Sequence, residues 1–461
     1  MAETSNKMGT TPVLKLIFQM SLPAMFSMMI QAFYNIVDSY FVSMYDSTNA
    51  ALNAINIAYP LQLLLIAFVV GTGVGVNSLI ARKLGEGNVK YAQKVAVTGI
   101  ILGIATWVVF LLIGIFGSRY FISIFTDEGN TKIINYGVDY ISIVLIFSLG
   151  SFIQVVIEKS IQATGNMIFP MISHLIGAVT NIILDPLFIF GIDGFIPEMG
   201  VKGAAIATVI GQWLAMLFLI IAVSIKKFAI KFTFRGYKFS LKTVKEIYIV
   251  GLSGIIMQAI GSVLMAGINL IIKISPSPEH VRVAAQTVYG LYFKIQSFVF
   301  MPVFGLNQGV SPIIGYNYGA KNKKRMLSAL KYALMISFTI MLTGAVVFHA
   351  FPREILSIFN AEAEVMTIGI KALRRISICF LPASVGIILT ALFQAVGKGF
   401  RSLVMSFLRQ MVLILPIAYA LSKVSIEAMW YAFPIAEVVA MIVAVLFYID
   451  LYKKDFSRLG K

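Results

Sequence analysis

Two carboxylates stand in stretches that otherwise avoid charge: Asp38 in YNIVDSYFVSM (residues 34–44) and Asp185 in VTNIILDPLFIFG (residues 179–191). Asn181 precedes Asp185 by four residues, the spacing that puts two side chains on one face of a helix. Thr208, in GAAIATVI, adds a hydroxyl. Carboxylate, amide and hydroxyl oxygens are the ligands a hard cation such as sodium prefers. Two neighbouring carboxyls also bind and release protons as a pair, so proton exchange is an equally physical reading, and the residue types do not choose between the two.

The elements that must carry these groups are membrane helices. Hydrophobic residues make up 59% of the 461 and charged residues 12%, against about 25% charged in soluble domains; mean hydropathy is +0.89. Apolar stretches recur along the whole chain without strand alternation, which predicts an all-α polytopic membrane protein. Twelve spans are expected at 14–43, 50–80, 92–117, 133–160, 167–191, 201–225, 243–273, 284–315, 326–350, 366–393, 402–421 and 427–451. The first is too long for a signal peptide and lacks a small-residue cleavage site, so the N-terminus is expected to stay attached.

Most of the 37 Lys and Arg residues fall in RKLGEGNVKYAQK, KKFAIKFTFRGYKFSLKTVK, AKNKKRM, GKGFR and the tail YKKDFSRLGK, together with Lys7, Lys15 and Lys159. With both termini in the cytoplasm these are all inner segments, the positive-inside pattern. The net charge of +17 therefore points to anionic lipid headgroups rather than nucleic acid. On this topology Asp38 and Asp185 each lie about six residues before the outer end of a span, and Thr208 lies about 12 Å deep from the outer side. An acid at such depth persists where it faces a cavity or a partner. The alternative is that both acids bond locally and only pin helix packing.

The chain repeats itself. VNSLIARKLGEGN (76–88) returns as VSPIIGYNYGAKN (310–322) and FISIFTDE (121–128) as ILSIFNAE (355–362), at one offset, with IQATGN (161–166) and FQAVGK (393–398) close to it. This predicts two six-helix bundles, residues 1–225 and 246–461, joined by a cytoplasmic basic linker at 226–245. Six spans per half make the repeats parallel, related by a pseudo-two-fold axis along the membrane normal, with a substrate path between them. The offset that overlays the first and seventh spans puts Ile268, Met411 and Leu415 opposite Asp38, Asn181 and Asp185. A purely architectural need would appear in both halves, so the asymmetry favours a coupling site.

SLP at the first span, YNIVD, GTGVGVNSLIARKLGEGN, QATGN, NIILDP and GAAIAT together resemble the multidrug and toxic compound extrusion (MATE) transporters, in particular their DinF-like branch, over essentially the whole chain. The resemblance implies a cation-coupled (sodium or proton) antiporter that exports organic, often cationic, compounds by alternating access. It implies a coupling site at Asp38, Asn181, Asp185 and Thr208, a drug cavity lined by Gln31, Tyr34, Asn35, Tyr140 and Gln212, and a hinge at Pro23. The seventh span lacks the acid of the NorM branch, and the body of the tenth has none either. Independently of family, an interior proline permits a kink, whereas one in the first turn is merely tolerated.

Lys294, Arg409 and Glu437 are further charges inside spans of the second half, and Lys294 and Glu437 are expected to serve its cavity or gate. The loop ARKLGEGN lacks the GKS or GKT of a phosphate loop. His174, His280, His349 and the single Cys379 show no metal-ligand spacing. No cofactor is expected beyond the coupling ion, and the protein is expected to act as a monomer on small organic substrates. A lipid-linked glycan flippase of similar fold is the competing reading, supported by Lys294 and Arg409 and opposed by the deep acids. A membrane enzyme finds no catalytic constellation.

Overall fold

The computed structural model describes residues 3–46, 50–126, 130–192, 194–359 and 362–459. In hydrocarbon each backbone amide must be satisfied within its own segment, and the described chain is accordingly mostly helical; its β structure, among the described residues, is an isolated bridge between Ile192 and Ile196. The first half contains α1 (Val13–Tyr45), α2 (Ala50–Gly85), α3 (Val89–Leu112, extended by a π-helical turn Ile113–Gly117 and Ser118–Ile124), α4 (Thr131–Ile146), α5 (Leu149–Ala163), α6 (Ile168–Ile189) and α7 (Val201–Ile225). The second contains α8 (Leu241–Lys273), α9 (Glu279–Gly319), α10 (Lys323–Ala350), α11 (Ala363–Ser377), α12 (Phe380–Ala395), α13 (Gly399–Phe407, with a π-helical stretch Leu408–Ile414 and then Leu415–Ser422) and α14 (Ala432–Lys454).

Ten helices are long and apolar enough to cross a membrane on their own; α4 with α5, and α11 with α12, complete twelve spans as pairs bent by 46° and 49°. The expected fourth and tenth spans are thus broken rather than straight. At the first break the freed carbonyls find new donors: Trp107 Nε1 donates to Ile146 O and Trp213 Nε1 to Phe147 O, both at 2.9 Å, and Ser148 Oγ donates to Leu145 O at 2.7 Å. Such substitution is what makes a break tolerable at membrane depth.

The first six spans pack on one another, as do the last six, and each lobe has its own apolar core. A further core joins the lobes: Leu16, Ile17, Met20 and Ala24 of α1 pack with Leu306, Val310 and Ile313 of α9. Close approach there depends on glycine. A Cβ on Gly75 would run into the Ile247 carbonyl of α8, and one on Gly305 into the Met25 backbone of α1. Cross-lobe hydrogen bonds accompany these contacts: Ser78 Oγ to Gln394 O (2.5 Å), Tyr91 Oη to Glu246 Oε2 (2.9 Å), Asn317 Nδ2 to Met8 O (3.2 Å) and Arg325 Nη2 to Thr11 O (2.6 Å). All of them lie in the half of the molecule that carries the basic loops. Nearer the other side, Gly261 of α8 and Gly290 of α9 border open space.

Candidate functional site

The site is built where α1, α6 and α7 meet. Gly203 of α7 sits against the Phe188 carbonyl of α6, and a Cβ on Gly211 would stand 2.7 Å from the Gly177 carbonyl. That proximity lets one amide span the two helices: Asn181 Nδ2 donates to Asp185 Oδ1 on its own face at 3.1 Å and to Thr208 Oγ1 across the gap at 3.2 Å. From α1, the Asp38 carboxyl comes within hydrogen-bonding reach of Asp185. Asp185, Asn181 and Thr208 are 0%, 2% and 7% exposed, and Asp38 is half-buried. The four expected coupling residues therefore form one contiguous cluster.

Three oxygens in the cluster have no protein donor: Asp38 Oδ1, Asn181 Oδ1 and Asp185 Oδ2 are buried without a hydrogen-bond partner. Buried acceptors are ordinarily satisfied. A set of carboxylate and amide oxygens in this condition fits a hard monovalent cation or additional protons. Among the described residues no group of three or more His, Cys, Asp and Glu side chains is assembled for a metal ion.

The expected cavity residues are placed as follows. Gln31 and Tyr34 are half-buried on α1, and the Asn35 side chain lies outside the described set. Tyr140 of α4 is buried and donates to Gln62 Oε1 at 3.4 Å. Gln212 is half-buried on α7 with its Oε1 unpaired. Pro23 lies inside α1, well past the first turn, so the reading as a tolerated first-turn proline is set aside; Ser27 Oγ donates to its carbonyl at 3.0 Å. In the second lobe Lys294 is exposed on α9, whereas Glu437 is buried on α14, 3.5 Å from Arg409 Nη1, with its Oε2 unpaired. Lys294 and Glu437 thus occupy different surroundings.

One correction concerns Lys159, grouped above with the inner-loop charges. It is 8% exposed inside α5, beside Glu158 at 1%. Glu158 Oε1 lies 3.4 Å from Lys159 Nζ, and its Oε2 lies 3.1 Å from His174 Nε2 on α6. Adjacent opposite charges at a span end look like a solvated turn in sequence. The overlooked signal was Gln162, four residues after Glu158, whose Nε2 donates to Glu158 Oε1 at 2.6 Å.

Comparison with known proteins accords with this architecture. The MatE family model matches residues 23–187 and 259–420, one stretch in each lobe. The multidrug export protein MepA of Staphylococcus haemolyticus (strain JCSC1435) is 26% identical over 433 residues, covering 94% of this chain and 92% of that protein. MepA of Staphylococcus aureus (strain MRSA252) is 25% identical over 437 residues, covering 95% and 93%. An outward-facing multidrug resistance MATE family transporter of the MOP superfamily matches with a TM-score of 0.88 at 26% identity, covering 97% of this chain and 98% of that one. The crystal structure of MATE in complex with MaL6 matches with a TM-score of 0.89 at 26% identity, covering 98% and 100%. The chain, a multi-pass membrane transporter rather than an enzyme, belongs to the MatE family.

Proposed function

We propose that the protein exports organic, often cationic, compounds across the cytoplasmic membrane in exchange for sodium ions or protons, with both termini in the cytoplasm. The observation that carries this reading is the trio of buried oxygens on Asp38, Asn181 and Asp185 that no protein donor satisfies. Two ionised carboxylates only accept hydrogen bonds, so Asp38 and Asp185 brought together call for a shared proton or a bound cation to offset their charge. The remaining acceptors are free for a cation or a second proton.

Exchange follows from occupancy. With the cluster occupied, its charge is offset and its attraction for a cationic compound falls; with the cluster vacated, that attraction returns. A ligand shifts a two-state equilibrium by its difference in affinity for the states, so ion and drug that favour opposite states drive one another across. α1 is the element that links the two events. It carries Asp38 and the half-buried Gln31 and Tyr34 on one stretch, and Pro23 and the cross-lobe core on the other. The relatives named multidrug export proteins support the substrate class, and the basic loops on one side support the orientation. A glycan flippase is disfavoured by a paired-acid cluster that would repel an anionic pyrophosphate lipid. We take the functional unit to be a monomer in contact with membrane lipids.

The test is drug movement in proteoliposomes with sodium and proton gradients imposed separately. Efflux is expected to follow one gradient and to collapse in the Asp38→Asn and Asp185→Asn proteins. Transport indifferent to both gradients, or unchanged in both variants, refutes the proposal.

A further inference from the structure

A second buried polar cluster, around Glu158, Lys159 and Gln162 on α5, is left unused by that reading.

The Lys159 ammonium group has three acceptors. Two belong to its own lobe, Gln162 Oε1 at 3.0 Å and Glu158 Oε1 at 3.4 Å. The third, and nearest at 2.8 Å, is Gln308 Oε1 on α9 of the other lobe. Gln308 is held a second time, its Nε2 lying 3.6 Å from Met28 Sδ of α1 as donor. The lysine stem is fixed independently of these bonds: Asn77 Nδ2 of α2 donates to the Lys159 carbonyl at 2.9 Å, and Gly73 leaves the space the stem fills, since a Cβ there would stand 2.9 Å from Lys159 Cγ. Gln308 lies eleven residues before Gly319, the end of α9, which puts the bond about 16 Å inward along that helix.

We infer that Lys159 is a positioning residue of the transport cycle, bridging the lobes through Gln308 while the basic-loop side is closed and falling back on Glu158 and Gln162 when the lobes part. This rests on the alternating-access reading. A buried cation left without a partner is expensive, and a bridge whose rupture stranded one would hold the molecule shut. Glu158 removes that obstacle because it moves with Lys159 on α5. Gln162 Nε2 donates to Glu158 Oε1 at 2.6 Å from the same helix, so the carboxylate keeps a hydrogen bond whichever partner Lys159 takes, with His174 Nε2 of α6 lying 3.1 Å from its other oxygen. The closed state thus gains one charge-assisted hydrogen bond over the open state, enough to bias the equilibrium without locking it. A hydrogen bond to a charged group corresponds to a bias on the order of ten- to a hundred-fold.

The experiment measures the distance between spin labels at Lys90→Cys and Lys324→Cys, exposed positions flanking the basic-loop side on opposite lobes; the native Cys379 is buried. Full-length protein in nanodiscs is used without drug or ion gradient. Gln308→Leu should raise the long-distance population about ten-fold or more relative to wild type, and Gln308→Glu, which offers Lys159 a full charge, should lower it. In a Lys159→Met background Gln308→Glu should no longer favour the short distance. A folding defect would move Gln308→Leu and Gln308→Glu in the same direction, so opposite shifts support the latch. Shifts in one direction, or none, in a wild-type protein whose distances still respond to drug or ion, overturn it alone. A wild-type protein whose distances never change with drug, sodium or pH overturns the alternating-access reading as well.

Discussion

Asp185 is fully enclosed, yet only one of its oxygens is satisfied by Asn181, and its neighbour Asp38 approaches from another helix. Chemistry at this scale depends on which atoms remain free to accept. Replacing either acid by Asn keeps the shape and replaces one acceptor with a donor, and a lost charged contact is worth about 1.5–3 kcal/mol. Gradient-driven efflux by Asp38→Asn or Asp185→Asn protein should therefore fall by at least about ten-fold, with folding intact by size-exclusion chromatography. Thr208→Val removes a neutral acceptor from Asn181, so the loss should be milder, about five-fold. Equal losses for all three variants would argue that the cluster only pins helix packing. These acids were legible in sequence because a charge inside an apolar run stands out against its neighbours. Glu158 was not, because Lys159 beside it made the pair look like loop charge; its partner Gln162 lies four residues on, but His174 and Gln308, which complete the cluster, are contributed by other helices. Sequence spacing reports neighbours within one helix far better than neighbours between helices.

Elements were readable where hydropathy decides and unreadable where hydrogen bonding does. Hydropathy marks α4–α5 and α11–α12 as one membrane-crossing stretch each, and nothing in an apolar profile registers the 46° and 49° bends within them. The first bend depends on Trp107 and Trp213, which lie on α3 and α7, far from it in sequence. The π-helical turns in α3 and α13 escaped for the same reason: a span's hydropathy carries no trace of a change in its hydrogen-bond register. Pro23 is the exception, since its effect is local. It removes one backbone donor inside α1, between the cross-lobe core around Met20 and the acid at Asp38. Proline in a helix interior costs about 3 kcal/mol or more, so Pro23→Ala should leave the melting temperature in detergent unchanged or raised. If bending at this point links ion occupancy to lobe movement, the same variant should export drug more slowly. Undiminished export by a stabilised Pro23→Ala protein would remove the hinge role and leave the proline as a tolerated irregularity.

For the whole molecule, the internal repeat made two bundles legible, but it carried no information on which faces they press together. That is decided by small residues: α1 and α2 approach α8 and α9 at Gly75, Gly305 and Gly309, where a side chain would meet backbone of the opposite lobe. Ala81 of α2 is buried in the same closure, against Gly315. The basic-loop side is therefore shut by steric fit, with hydrogen bonds such as Ser78 to Gln394 added to it. A valine at position 305 must displace the Met25 backbone, and overpacking of this kind costs about 1–3 kcal/mol. On the proposed alternating-access cycle the opposite state separates the same surfaces, so nearly the whole penalty falls on the closed state. A water-soluble thiol reagent should then reach an Ala81→Cys probe about ten-fold or more faster in the Gly305→Val background than in the probe alone. Drug export should fall in the same protein, because on that cycle the state proposed to release drug to the far side requires this closure. Faster labelling with normal export would separate the closure from the transport cycle; unchanged labelling would mean that α1 yields locally and the lobes stay shut.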